Sequence, residues 1–209
     1  MTDEIIIATT RDWLEKAVIG LNLCPFAKAV HVKKQIRYVV SHATTPAALL
    51  EELMDELRRL QDTDADVLDT TLLIHPWVLN DFLDYNDFLD TVDIATAEPE
   101  FEDAFQVASL HPHYQFSGTQ RDDIENYTNR SPYPTLHLLR EASVDRAVDA
   151  FPDADRIADV NIETLKKLGR DGWDALGMEK VAGRYCYPRQ AKCSAGSNFL
   201  PDFSTPNAT

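Results

Sequence analysis

The chain has 209 residues and an acidic composition, with 35 acidic against 20 basic side chains and a formal net charge of -15. This length suits one domain with or without tails, and 44% apolar residues are enough for a core. The charge argues against general binding to nucleic acid or to an anionic membrane, because both require a cationic protein surface. It is compatible with a basic partner protein.

The sequence indicates a cytoplasmic protein. No apolar run approaches the roughly 18–20 residues of a membrane span, and the acidic N-terminus lacks the basic segment that opens a signal peptide. Three cysteines, Cys24, Cys186 and Cys193, are too few for a disulfide framework in a chain of this length. Cys186 and Cys193 are spaced for a disulfide loop, for a metal site or for two free thiols.

The first half of the chain alternates between helical and strand patterns. Apolar residues at helical spacing predict a helix over residues 3–21, with Leu14 and Val18 on its buried face. Residues 35–41 are rich in β-branched and aromatic side chains and predict a strand. A leucine stripe predicts a helix over residues 46–61, and the continuous apolar run at residues 70–75 predicts a buried strand.

The pattern continues with a helix over residues 81–95 and a third strand over residues 105–110. Strands that alternate with helices predict an α/β fold, with a small, mainly parallel sheet of three or four strands flanked by helices. Beyond residue 120 we predict helices only, including one over residues 134–150. Residues 1–176 are predicted to form one domain, and residues 177–209 an irregular C-terminal tail.

Two histidines follow the third strand. His111 and His113 flank Pro112, which favours an extended backbone and lets both imidazoles face one site. His75 follows the second strand, and the carboxyl ends of parallel strands share the edge where ligands bind. We therefore predict a site at this strand end, with His111 or His113 as the acid–base group and His75 beside the substrate.

A His-x-His pair is also a recurrent start of a metal site, but it needs a third ligand. Glu125 is the main candidate for a divalent metal site with His111 and His113, and Asp122, His75 and His137 are further candidates. Histidines after a strand also commonly bond only to loop backbone, and this interpretation is favoured because no metal motif supports the alternative.

The segment after these histidines carries a possible anion site. Pro132 and Pro134 hold it extended, so that Arg130 presents a rigid fork to a carboxylate or phosphate. The N-terminus of the predicted helix after Pro134 would add unpaired backbone N–H groups. The neighbouring substrate-binding candidates are Asn129, Ser131, Tyr133 and Arg121. The alternative is that Arg130 pairs with an internal acid such as Glu125.

Cys24 precedes Pro25, where a second helix is predicted to begin. A helix N-terminus lowers the pKa of a thiol, so Cys24 could act as a nucleophile with His111 or His113 as base. A buried structural cysteine is the favoured alternative.

Several long motifs resemble a bacterial family catalogued as domain of unknown function 1415: GLNLCPFAKAVH, LIHPW, DFLDYNDFLD, HPHYQFSGT and ENYTNRSPYPTLHLLREASVDRAV. The resemblance covers roughly residues 1–172. It implies a cytosolic bacterial protein and supplies no catalytic residue.

We therefore favour a small-molecule enzyme that binds an anionic metabolite around His111, His113 and Arg130, with metal assistance as a variant. The alternatives are a non-enzymatic acidic adaptor with a basic partner, and a metal or haem carrier.

Overall fold

The computed structural model describes residues 1–150 and 156–177. Its helices are α1 (Asp3–Trp13), α2 (Ala27–Val32), α3 (Pro46–Asp62), α4 (Phe82–Thr96), α5 (Glu141–Asp149) and α6 (Ile157–Ala175). Its strands are β1 (Ile36–Val40), β2 (Thr70–Ile74), β3 (Phe105–Leu110) and β4 (Thr135–Arg140). A π-helical turn, Leu14–Ile19, extends α1, and a 3-10 helix spans Ile124–Thr128.

The two helices between the first three strands begin at caps that the sequence encodes. Thr45 accepts a hydrogen bond from the Ala48 N–H, and Pro46 occupies the first turn of α3. Asp81 caps α4 by accepting from the N–H groups of Leu83 and Asp84. Both helices form where predicted, because their caps and their buried apolar faces agree.

The sheet is less parallel than the sequence predicted. Within the described residues its strand order is β1-β2-β4-β3, and only the β1–β2 pair is parallel. β4 lies antiparallel to both of its neighbours, β2 and β3. β1, β2 and β3 nevertheless run in the same direction. The prediction of an α/β fold is confirmed, and that of a mainly parallel sheet is corrected, because two of the three strand pairs are antiparallel.

The difference comes from the predicted helix over residues 134–150, of which the first part is β4. Leu136 and Leu138 are fully buried on one face of the sheet, and His137 lies on the other face, as alternation along a strand requires. Arg140 belongs to this strand, and its guanidinium donates to the carbonyls of Leu60, Thr63 and Leu68. His137 and Arg140 therefore do not share the helical face that the sequence suggested.

Each face of the sheet packs against its own helices. The α3–α4 face carries Leu73 and Leu136 and meets a continuous apolar cluster from the two helices. The opposite face, here the α1–α6 face, carries Leu72 and His137 and is covered by α1, its π-helical extension and α6. None of the described helices is long and apolar enough to cross a bilayer. The predicted tail, with Cys186 and Cys193, lies outside the described residues.

Candidate functional site

The carboxyl ends of β1, β2 and β3 lie along one edge of the sheet, and β4 begins there. His75 and His111 directly follow β2 and β3, and both are fully buried. Their rings lie 5.6 and 5.1 Å from the ring of Tyr85, which α4 supplies. The Tyr85 hydroxyl donates to the Thr135 carbonyl and accepts from the Leu110 N–H, at 3.0 and 3.1 Å. The structure thus brings the two histidines together around one tyrosine.

Hydrogen bonds fix which nitrogen of each buried histidine carries its proton. His75 Nδ1 donates to the Val78 carbonyl at 3.0 Å, which leaves its Nε2 as a lone pair. His111 Nδ1 instead accepts from the His113 N–H at 3.0 Å, so its Nε2 carries the proton. Both Nε2 atoms are buried and lack a hydrogen-bond partner among the described residues. The two rings are therefore held as complementary neutral tautomers.

Burial keeps both rings neutral. It lowers the pKa of His75 to about 4, and burial together with the neighbouring His113 lowers the pKa of His111 to about 3. A metal would need the Nε2 lone pair of His111, but the backbone N–H at Nδ1 places the proton on Nε2. No group of three metal-ligating side chains occurs in the described part of the chain, and Glu125 pairs with Lys166 at 3.5 Å. The metal variant therefore gains no support.

His113 is the accessible member of the pair. Its ring lies 5.9 Å from that of His111, and its side chain is exposed. Partial burial lowers the pKa of His113, and the positive charges of Arg121 and Arg130 lower it further, whereas Asp81 acts in the opposite direction. His113 is thus the histidine that meets both solvent and the two arginines.

Arg130 is tied to backbone carbonyls. Its Nε donates to the Tyr114 carbonyl at 3.2 Å, and its Nη2 donates to the Arg121 carbonyl at 2.5 Å. The guanidinium lies 4.3 Å from the Tyr127 ring centroid. These bonds use two of its five N–H groups. Burial lowers the pKa of Arg130, and Tyr127 and the Asp122 carboxylate act in the opposite direction. Arg130 therefore braces the loop before it, and Asp122 is an acid that acts on its charge.

The other predicted anion-binding groups brace the same segment. Asn129 donates to the Ser109 carbonyl at 3.2 Å, and Ser131, which is buried, donates to the Tyr133 carbonyl at 2.6 Å. Tyr133 is also buried, and its hydroxyl contacts the Met1 sulfur at 3.6 Å. Because residues 135–140 form a strand, the expected helix N-terminus after Pro134 is absent. Of the predicted set, Arg121 and His113 are exposed and Arg130 is partly buried, and both arginines act electrostatically on His113.

Cys24 lies on the α1–α6 face, whereas His111 packs with Tyr85 on the α3–α4 face. Burial raises the pKa of the Cys24 thiol, although the backbone N–H groups of Phe26 and Ala27 act in the opposite direction. Cys24 lines a cavity of about 360 Å³ together with His137. The structure therefore groups Cys24 with a different histidine from the two that the sequence suggested.

This cavity is the feature that sequence reasoning missed. Its polar lining includes Thr70 of β2, His137 of β4 and Ser143 at the start of α5, together with Asp69, Gln106, Thr128 and Asn129. The strict alternation of Leu136, His137 and Leu138 was the available signal, because it places the histidine opposite the two core leucines.

One family model, described as "Protein of unknown function (DUF1415)", matches residues 5–175 of the chain. No curated protein and no solved structure matches the chain.

Proposed function

We propose that this chain, which belongs to the protein family of unknown function DUF1415, is a small-molecule enzyme that binds an anionic metabolite at Arg130 and Arg121 and moves a proton through His113. The observation that carries the proposal is the half-buried Arg130 guanidinium, which is tethered to two backbone carbonyls and acts together with Arg121 on His113. We call the group His113, Arg121 and Arg130 the strand-end site.

The charge balance supports an anion at this place. With a net charge of -15, the protein as a whole repels anions, so a binding site needs a local excess of positive charge. Arg121 and Arg130 both act on His113, and Asp81 is the acid that opposes them there. A guanidinium whose orientation is already fixed by two carbonyls can receive a carboxylate or phosphate without further ordering cost.

The two histidines take different roles in this proposal. His113 is neutral at pH 7, because its pKa lies below the ordinary value, so it can accept a proton from a bound substrate. The negative charge of the substrate would raise the pKa of His113 on binding and strengthen it as a base. His111 is fully buried and holds the His113 backbone through its Nδ1, so we assign it a positioning role.

The test uses Arg121→Gln, because Arg130 bonds to the Arg121 carbonyl and not to its side chain. The variant therefore removes a charge and keeps the tether. We expect the variant to bind inorganic phosphate or succinate about three- to fivefold more weakly than the wild type, because one exposed charge contributes up to about 1 kcal/mol. Isothermal titration calorimetry measures both affinities. We also expect the ligand to raise the pKa of His113 in NMR titrations of the wild-type protein.

Arg58→Gln is the matched control, because Arg58 lies on α3 and pairs with Asp55 at 3.2 Å. It changes the net charge equally and should leave anion affinity unchanged. Equal losses of anion affinity in both variants would show that only the overall charge matters. A His113 pKa that does not shift at saturating ligand would show that His113 does not act on the bound anion.

A further inference from the structure

The cavity on the α1–α6 face has the size of a ligand site. Its volume of about 360 Å³ lies within the range of roughly 300–1,000 Å³ typical of small-molecule pockets. The sheet forms its floor through residues such as Leu72 and Ala108, and the N-terminal helix forms its roof through Trp13 and Leu14. These walls are mainly apolar, so the cavity favours a ligand with an apolar body.

His137 supplies the acceptor in this apolar surrounding. The Thr70 hydroxyl donates to the Leu138 carbonyl at 2.6 Å, so its oxygen accepts from His137 Nε2 at 2.8 Å. The proton of the neutral ring is thereby placed on Nε2, and Nδ1 keeps a lone pair. Nδ1 has no hydrogen-bond partner among the described residues. It is also not one of the fully buried polar atoms, so it keeps some accessible surface beside the cavity. Burial lowers the pKa of His137 to about 4, so the ring stays an acceptor at neutral pH.

The charges around the cavity select against an anion. The lining includes the carboxylate of Asp69 and neither a lysine nor an arginine. Asp69 accepts a hydrogen bond from the Ser143 hydroxyl at 2.5 Å. A carboxylate or phosphate placed here would meet the Asp69 carboxylate and no cation, which is costly in an apolar site. The strand-end site has the opposite preference.

The accessible acceptor indicates the kind of polar group. Trp13 also lines the cavity, but its indole N–H is fully buried and does not reach the open space. His137 Nδ1 therefore needs a donor on the ligand, and a hydroxyl group is the simplest uncharged group that supplies one.

The cavity continues into a more polar cleft between α2 and α5, with which it shares Phe26, Val30 and Ser143. That cleft carries charged residues of both signs, including Lys33 and Asp66. An apolar molecule has an entry route here, and a polar end can remain in the cleft.

We propose that the cavity on the α1–α6 face binds an uncharged, mainly apolar molecule that bears a hydroxyl group, with His137 Nδ1 accepting the hydroxyl proton. This binding site is independent of the strand-end site, since it lies on the α1–α6 face and requires neither Arg130 nor His113. Failure of one proposal therefore leaves the other standing.

The test compares three probes of similar shape by calorimetry at pH 7.5: 4-tert-butylphenol, its methyl ether and 4-tert-butylbenzoate. The phenol should bind about three- to tenfold more tightly than the ether, which lacks the donor, as expected for one neutral hydrogen bond. The benzoate should bind more weakly than both. Equal affinities of phenol and ether, a preference for benzoate, or no binding of any probe at about 1 mM would each overturn the proposal.

Two variants separate binding from folding. His137→Phe keeps a ring of similar size and removes the acceptor, so the phenol and the ether should then bind with about equal affinity. Ala108→Leu fills part of the cavity with apolar atoms and should weaken both probes about equally. Unchanged preference in the first variant, or unchanged affinity in the second with a native circular dichroism spectrum, would contradict the assignment.

Cys24 provides a second readout, because it lines the same cavity. In a chain carrying Cys186→Ser and Cys193→Ser, bound phenol should slow alkylation of Cys24 by iodoacetamide severalfold, and the benzoate should not. Equal rates with and without the phenol would place the probe elsewhere and overturn the proposal.

Discussion

The two candidate sites of this protein offer ligands opposite chemistry. At the strand-end site, two arginines present donors and positive charge beside an accessible histidine. In the cavity on the α1–α6 face, His137 presents a lone pair among mainly apolar walls, and Asp69 supplies negative charge. An overall charge of -15 predicts neither site, since the local side chains decide what each one can bind.

The two faces also differ in how densely they are packed. The α3–α4 face meets one continuous cluster of buried leucines and aromatic residues. The α1–α6 face contains the cavity, so the side chains that line it lack neighbours on one side. Because residues that line a cavity make fewer packing contacts, we expect the α3–α4 face to supply most of the stability.

The largest expected effect tests this difference with two adjacent leucines of β2. Leu73 is fully buried in the α3–α4 cluster, and Leu72 lines the cavity. Leu73→Ala should lower the free energy of unfolding by about 3–5 kcal/mol, whereas Leu72→Ala should cost about 2 kcal/mol, because it removes fewer contacts. Urea denaturation of both variants gives the comparison.

Leu83→Ala is the control for this pair, since Leu83 is 71% exposed and its truncation should change stability by less than about 0.5 kcal/mol. If Leu72→Ala proves as costly as Leu73→Ala, the cavity lining is packed as tightly as the core, and the contrast between the faces does not hold.

A smaller effect concerns pH, because both regions hold neutral buried histidines. The folded pKa of His137 is about 4, below the unfolded value of about 6.5, so the unfolded chain binds the extra proton between these values. The stability that depends on a neutral His137 is therefore complete above about pH 6.5 and is lost as the pH falls towards 4. His137→Phe should remove about 2 kcal/mol of the stability lost between pH 7.5 and 5.0.

Urea denaturation at the two pH values, for wild type and variant, measures this difference. His31→Phe is a suitable control, because His31 is partly exposed and lies 3.5 Å from Glu15. The same acid sensitivity in wild type and His137→Phe would show that His137 is readily protonated in the folded state, and its role as a neutral acceptor would then fail.

The sequence predicted the alternation through β3 correctly and missed β4. Helix caps at Thr45 and Asp81 and the apolar runs of β2 and β3 are local signals, and the fold follows them. β4 ends at Arg140 and α5 begins at Glu141, so no turn residues separate the strand from the helix. The apolar residues of both elements consequently merged into one apparent helical pattern.

The candidate sites were predictable to different degrees for the same reason. His75 and His111 follow strands that run in the same direction, so both lie at the same edge of the sheet. Their proximity could be predicted from the strand directions alone. The partners of Arg130 depend on how the loop before it folds back. The sequence therefore could not decide whether Arg130 pairs with an internal acid or binds an anionic ligand, and the structure shows bonds to two backbone carbonyls instead. The grouping of Cys24 with His137 depends on which face of β4 the histidine occupies, and this required the strand itself.

The smallest effect tests whether the strand-end site is as cationic as the comparison requires. Arg121→Gln removes one of the two positive charges that lower the pKa of His113, so this pKa should rise, and only slightly, because solvent screens an exposed charge. NMR titration of the His113 ring measures the shift, and it should shrink in 0.5 M salt. Arg58→Gln should leave the same pKa unchanged, because Arg58 pairs with Asp55 on α3. A His113 pKa that is identical in wild type and Arg121→Gln would mean that Arg121 does not act on this ring, and Arg130 would then be the single cation available to an anion there.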